Sequence, residues 1–134
     1  MTIVTKQKAH VDLKDGPIEV RSQAVDGWNV AFESWPPGDY RPLFRGLPGD
    51  ACLAAHYGYC LKGKAKCIYD DGTEEVVQAG QAYVLRPGHT FQVIEPFENV
   101  EFTQLTADYA QVGEAFMKNF PGWLKANRRM LAPP

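Results

Sequence analysis

Asp50–Lys64 reads DACLAAHYGYCLKGK and Ala79–Val93 reads AGQAYVLRPGHTFQV, with Asp70-Asp71-Gly72 between them as a tight turn. Asp50, Cys52, His56 and His89 therefore stand around glycine-punctuated hairpins, and His10 is the only other histidine in the chain. Asp, Cys and His are the side chains that hold metals or carry protons. The stretch predicts a β-barrel with a small polar site inside it, and it names no substrate.

On the N-terminal side, residues 1–18 read as a mixed lead-in ending at Gly16-Pro17. Ile18–Val20 and Trp28–Glu33 read as strands joined across Asp26-Gly27, a strong hairpin signal. Trp35–Asp39 contains two prolines, which cannot feed a sheet ladder, and reads as a turn. Tyr40–Phe44 is expected as a short strand interrupted at Pro42. Cys52–Leu61 and Ala65–Tyr69 are expected to pair across a turn near Gly63-Lys64. The strands Glu75–Gln78, Ala82–Leu85, Phe91–Glu95 and Val100–Leu105 follow, each closed by Gly, Pro or Asn. Many short strands at near-regular spacing imply an all-β sandwich or barrel.

After Thr106 the period changes. Tyr109, Val112, Phe116 and Phe120 recur at the spacing of one helix face. Pro121-Gly122 is expected to end that helix, with a second short helix over Trp123–Met130.

Composition narrows the function classes. The chain has 134 residues, 45% of them hydrophobic, enough for one well-packed core. The formal net charge of −2 carries no basic patch of the kind that nucleic acid or an anionic membrane requires. Lys125–Arg129 reads as a solvated, cationic helix end. No apolar run approaches the ~20 residues that span a bilayer, and the N-terminus lacks a signal-peptide pattern. Three cysteines without metal-finger spacing imply a reducing, cytoplasmic setting with free thiols. Cys60 and Cys67 are symmetric about Gly63-Lys64, so a two-residue turn there would set them opposite each other, where a cross-strand disulfide is the alternative to two thiols. On that register Lys62, Lys64 and Lys66 face out. His56, Gly58, Cys60, Cys67 and Tyr69 face the lumen, and Gly58 leaves room there for a ligand.

The glycine framework resembles the cupin superfamily. Its first motif, G-x5-H-x-H-x3or4-E-x6-G, aligns Gly63 with the last glycine, His56 with the glutamate, Cys52 with the second histidine and Asp50 with the first, while Phe44 stands at the leading glycine. Its second motif, G-x5-P-x-G-x2-H-x3-N, is met by Gly80 and Gly88, with Arg86 at the proline, Pro87 one place late, Phe91 at the histidine and Glu95 at the asparagine. The resemblance implies a cupin-type jelly-roll β-barrel with a C-terminal helical segment. It implies one domain over 1–134, with the barrel over about 18–105 and the helices over about 107–130. It also implies pairing as a homodimer. The usual His, His, Glu, His ligand set becomes Asp, Cys, His, Phe, so iron-dependent dioxygenation does not transfer with the fold.

On one straight strand Cys52 and His56 would lie roughly 13 Å apart, at ~3.3 Å per residue. The cupin pattern supplies a bend over Leu53-Ala54-Ala55 that would bring them together. His89 enters its strand on the same face as Phe91 and would replace the missing motif histidine. Each residue also has a plainer reading: a small buried cysteine, a hydrogen-bonded lumen histidine, a solvated turn histidine, and for Asp50 a turn terminator. Arg86 is a second-tier candidate for a carboxylate at the barrel mouth.

Three functional readings follow. The first is a divalent metal held by Cys52, His56 and His89, with water in the open position, acting on or binding a small polar molecule. The thiolate favours Zn, which suits a hydrolase, isomerase or lyase. Fe, Ni or Cu would reopen oxygenation. The second is a metal-free module that binds a small molecule. The third is metal-free acid–base catalysis, with His56 as base and Tyr40 or Tyr69 as acid.

Overall fold

The computed structural model describes residues 1–131. Its strands are β1 (His10–Asp15), β2 (Ile18–Val25), β3 (Trp28–Trp35), β4 (Gly38–Asp39), β5 (His56–Tyr69), β6 (Glu74–Gln78), β7 (Ala82–Leu85) and β8 (His89–Gln104), followed by helix α1 (Ala107–Leu131). They form one eight-stranded sheet in the order β1-β2-β3-β8-β5-β6, with β4 added to β8 and β7 to β5, and every pairing is antiparallel.

Two long strands organise the architecture. One end of β5 pairs β7 (Tyr57 opposite Val84) and the other pairs β6 (Cys67 opposite Glu75), while β8 runs along nearly all of it, from Tyr57–Phe102 to Tyr69–His89. The ladder between them shifts register between Cys60 and Ala65. That bulge switches which parity faces inward: His56 and Cys60 are buried before it, and Ala65, Cys67 and Tyr69 after it. A bulge of this kind bends a strand and strengthens its twist, which lets the sheet curl around a cavity.

The β2–β3 hairpin forms as expected. Asp26 and Gly27 both have positive φ, 49° and 82°, the backbone that a two-residue hairpin turn demands and that Asp-Gly supplies. Five other expectations are corrected. The lead-in contains β1, which pairs with β2, so the sheet begins at His10 rather than near residue 18. Tyr40–Phe44 is not a strand: Arg41–Phe44 is a 3-10 turn with Pro42 in its first positions, where the missing N–H of proline does no harm. Residues 56–69 run straight through Gly63 as one strand, because the positive φ of Gly63, 82°, serves the bulge and not a reversal. Cys60 and Cys67 therefore never face each other. They pair with Asn99 and Phe91 of β8, and all three cysteines are free thiols. Residues 89–104 are one strand, not two.

The fifth correction concerns the C-terminus, where Pro121 sits inside one continuous helix. Proline removes one i→i−4 hydrogen bond, but burial of Val112, Phe120, Trp123 and Leu124 holds α1 on the sheet through that point. Tyr40 is fully buried and stacks on Phe91 at 4.9 Å and on Trp123 at 4.8 Å, joining helix to sheet. Trp123 Nε1 donates to Asp39 O at 2.7 Å, and Asn119 Nδ2 donates to Leu43 O and Arg45 O at 3.0 and 2.9 Å.

Candidate metal centre

Cys52 sits just before β5 and is tied to the start of β8 by two backbone bonds. Its N–H donates to His89 O at 2.8 Å, and Gly88 N–H donates to Cys52 O at 2.7 Å. Gly88, at φ 93°, makes the turn into β8, and a Cβ there would press on the Asp70 carboxylate. The chain bends over residues 53–55 and enters β5 at His56, so Cys52 Sγ lies 3.3 Å from His56 Nε2. Cys52, His56 and His89 are 1%, 6% and 3% exposed, and one ligand atom from each lies within 4.8 Å of the others.

Both rings are oriented from behind. His89 Nδ1 lies 2.6 Å from Arg86 O. A carbonyl only accepts, so Nδ1 carries the proton and Nε2 keeps its lone pair. His56 Nδ1 lies 2.6 Å from Thr103 Oγ1. Burial pushes the Cys52 thiol up to about 12 and both imidazoles down to about 4, so without metal the thiol keeps its proton and both rings are neutral, with Ala54 O at 3.8 Å and His56 Nε2 at 3.3 Å beside the sulfur. His56 Nδ1 and Thr103 Oγ1 share a hydrogen bond, and Glu101 Oε2 lies 3.6 Å from the same nitrogen. Tying one ring nitrogen so that the other is free is the arrangement that fixes tautomer and direction in metal-binding histidines.

The other sequence candidates lie elsewhere. Asp50 is exposed, with φ 50°, and accepts the Gly46 N–H at 3.0 Å, closing a loop. The Tyr40 hydroxyl donates to Pro36 O at 2.5 Å within the aromatic core. The Tyr69 hydroxyl accepts the Arg86 N–H at 3.3 Å, and its ring lies under the Arg86 guanidinium at 4.6 Å. Neither tyrosine lines the cavity that holds Cys52, His56 and His89, which measures about 1190 Å³.

That cavity contains polar groups not singled out in the sequence. Glu33 (β3), Tyr83 (β7), Asn99 and Glu101 (β8) line one wall, with Asn29 and Tyr109 beside them. Tyr83 donates to Glu101 Oε1 at 2.9 Å, and Asn99 Nδ2 donates to Tyr83 Oη and Glu33 Oε1 at 2.7 and 3.1 Å. Desolvation pushes Glu101 up to about 7 and, with the Glu101 charge beside it, raises Glu33 well above the usual carboxylate range. Gly58 was expected to leave room for a ligand; the space instead takes the Tyr83 ring, which lies where its Cβ would be. One sequence signal could have found this wall: Asn29, Ala31, Glu33 and Trp35 alternate along one strand, and a core-facing Trp35 puts Glu33 on the same face.

No protein-family model matches the chain, and no curated protein matches it. Solved structures do. An RmlC-like cupin from Shewanella frigidimarina has a TM-score of 0.56 at 10% identity, over 80% of this chain and 93% of that one. A Neisseria meningitidis protein has a TM-score of 0.55 at 16% identity, over 78% and 99%. The S161A mutant of Bacillus subtilis oxalate decarboxylase has a TM-score of 0.55 at 18% identity, over 73% of this chain but only 28% of the decarboxylase. Another structure of that decarboxylase was determined for its Mn(II) centres. The chain has the cupin fold: an antiparallel β-barrel closed by a C-terminal helix. Among the described residues, no helix is long and apolar enough to cross a membrane.

Proposed function

We propose that this is a metal-dependent cupin in which Cys52, His56 and His89 hold one divalent ion that acts on or binds a small molecule in the cavity. The observation carrying this is that three buried donor atoms lie within 4.8 Å of one another while both imidazoles have Nδ1 tied outside the cluster, leaving Nε2 as the nitrogen for the ion. One sulfur and two nitrogens suit zinc better than manganese, magnesium or calcium, and three protein ligands leave a fourth position open to substrate or water. When bound, zinc supplies Lewis-acid polarisation of a carbonyl or activation of water, which suits hydrolysis, isomerisation or a lyase step.

The protein's own residues supply the rest. Thr103 Oγ1 and Arg86 O fix the two rings. Tyr109, Val112 and Phe116 of α1 give the cavity part of its apolar lining. Glu101, hydrogen-bonded by Tyr83 and 3.6 Å from His56 Nδ1, is placed to hold or move a proton beside the centre. Elemental analysis of tag-free protein tests the reading. About one equivalent of zinc is expected in the parent and strong loss in Cys52→Ser, His56→Ala and His89→Ala, whereas parental metal content in all three would reject it.

A second reading has its own support. The cavity is far larger than an ion requires, and Cys52 and His56 already satisfy each other by hydrogen bonding. A metal-free binding module would show ligand-dependent thermal stabilisation that chelators leave unchanged. Assembly as a homodimer in the cytoplasm remains part of the proposal, to be checked by sedimentation and by localisation of the full chain.

A further inference from the structure

The polar wall of the cavity carries a buried acceptor that the described residues leave unanswered. Ladder register assembles it: Glu33 is directly opposite Asn99, Ala31 opposite Glu101, and Gly58 sits between Glu101 and Tyr83. Small residues at 31 and 58 let the longer side chains lean together. Asn99 is 4% exposed and spends its two N–H groups on Glu33 and Tyr83, and its buried Oδ1 has no partner among the described residues. Burying an acceptor in that state costs free energy, and the protein supplies nothing to relieve it.

The charge balance points the same way. Asp12, Glu33, Glu75 and Glu101 line the cavity, against Lys66 as the one cationic side chain on its wall among the described residues. No Lys or Arg pairs with Glu33 or Glu101 among the described residues, while the ion pairs of Lys14, Arg21 and Arg41 all lie elsewhere. Burial disfavours a bare charge on Glu33 and Glu101, so an anion entering this space would add a second unpaired charge, and a neutral alcohol would meet the open acceptor but supply no counter-charge. A cation carrying N–H donors answers both. The remaining wall is apolar and aromatic, including Trp35, Phe91, Phe97 and Phe116, and would take a hydrocarbon body.

We propose that the cavity binds a small organic ammonium, with its charged nitrogen against Glu33, Glu101 and Asn99 and its apolar body against the aromatic wall. This names the substrate class for the metal centre and rests on that reading for turnover, but binding itself needs only the carboxyl pair.

The test uses three isosteric probes, benzylammonium, benzyl alcohol and benzoate, titrated calorimetrically into the full chain with and without zinc. Benzylammonium is expected to bind at least about tenfold more tightly than the alcohol, a difference of ~1.4 kcal/mol, and benzoate not to bind. Glu33→Gln is expected to weaken benzylammonium by about tenfold or more while metal content stays parental. Equal or tighter binding of either competing probe, no benzylammonium binding at millimolar concentration, or an unchanged affinity in Glu33→Gln would overturn the proposal. If that variant does not fold, the three probes on the parent protein decide. Parental metal content in the Cys52, His56 and His89 variants would reject the metal reading alone and leave the ammonium result standing.

Discussion

Gly58 is where a side chain's absence has the largest local consequence. A Cβ at this position would run into the Tyr83 ring, and that ring must cross here for its hydroxyl to reach Glu101. Gly58→Ala should therefore cost about 1–3 kcal/mol, the usual range for overpacking, and should displace Tyr83. Urea unfolding gives the first quantity and Tyr83 fluorescence or NMR the second, and an unchanged Tyr83 environment would contradict the geometry. Thr103 is the residue that fixes His56 from behind, at 2.6 Å. Thr103→Val keeps the shape and removes the acceptor, so zinc affinity should fall by about 10–100-fold with little loss of fold. Competition with a chromogenic chelator measures it. Cys52, His56 and His89 were legible in the sequence as types and spacings. Thr103 was not, because a threonine in a strand carries no mark that distinguishes a hydrogen-bond partner from an ordinary β-former.

At the scale of elements, glycine and proline punctuate a chain only when tertiary packing agrees. Asp26-Gly27 ends β2 because both residues adopt the turn backbone. Gly63-Lys64 looks equally suited, yet Gly63 is pressed against the Pro96 carbonyl of β8, where a Cβ has no space. Its freedom of φ is used for close approach between two long strands. Glycine alone cannot announce which use applies, so the local pattern implies a hairpin with Cys60 and Cys67 face to face where the fold has one strand. Pro121 misled in the same way. The helix loses one backbone bond there, but Trp123 two residues later is 5% exposed, stacks on Tyr40 and donates to Asp39 O. Trp123→Ala should cost about 3–5 kcal/mol, while Trp123→Phe keeps most of the ring and should cost about 1 kcal/mol for the lost hydrogen bond. Equal destabilisation of the two variants in denaturant titrations would show that the helix is held by its N-terminal half instead. The alternation of strands and the switch to helical period near Thr106 were legible because each is a local pattern. The order β3-β8-β5 was not legible, since pairing between distant strands leaves no local trace.

The whole molecule carries two buried titrating pairs whose effects on stability run in opposite directions. In metal-free protein His56 and His89 are held near 4, below the ~6.5 of an unfolded histidine. Between those values the unfolded chain takes up protons that the fold refuses. The stability of the neutral rings is present above about pH 6.5 and is lost as pH falls towards 4, by at most about 3 kcal/mol for each ring. Glu101, raised to about 7, and Glu33, raised in the same direction, hold protons in the fold that the unfolded chain releases above ~4.5. Their contribution is present at low pH and is lost as pH rises through the folded value. From pH 4.5 to 6.5 the two pairs oppose, so the urea midpoint of the chelated parent should change little. Glu33→Gln removes one opposing group, and its midpoint should climb more steeply with pH across that window and exceed the parent's at pH 8. A variant profile as flat as the parent's would mean that Glu33 titrates like a solvated carboxylate and that the acceptor wall is open to water. Zinc acts on the other pair alone: loading requires the Cys52 proton to leave and both Nε2 lone pairs to stay free. Acidification should therefore release the ion before the fold fails, and metal loss that coincides with unfolding at every pH would instead tie the ion to the integrity of the barrel.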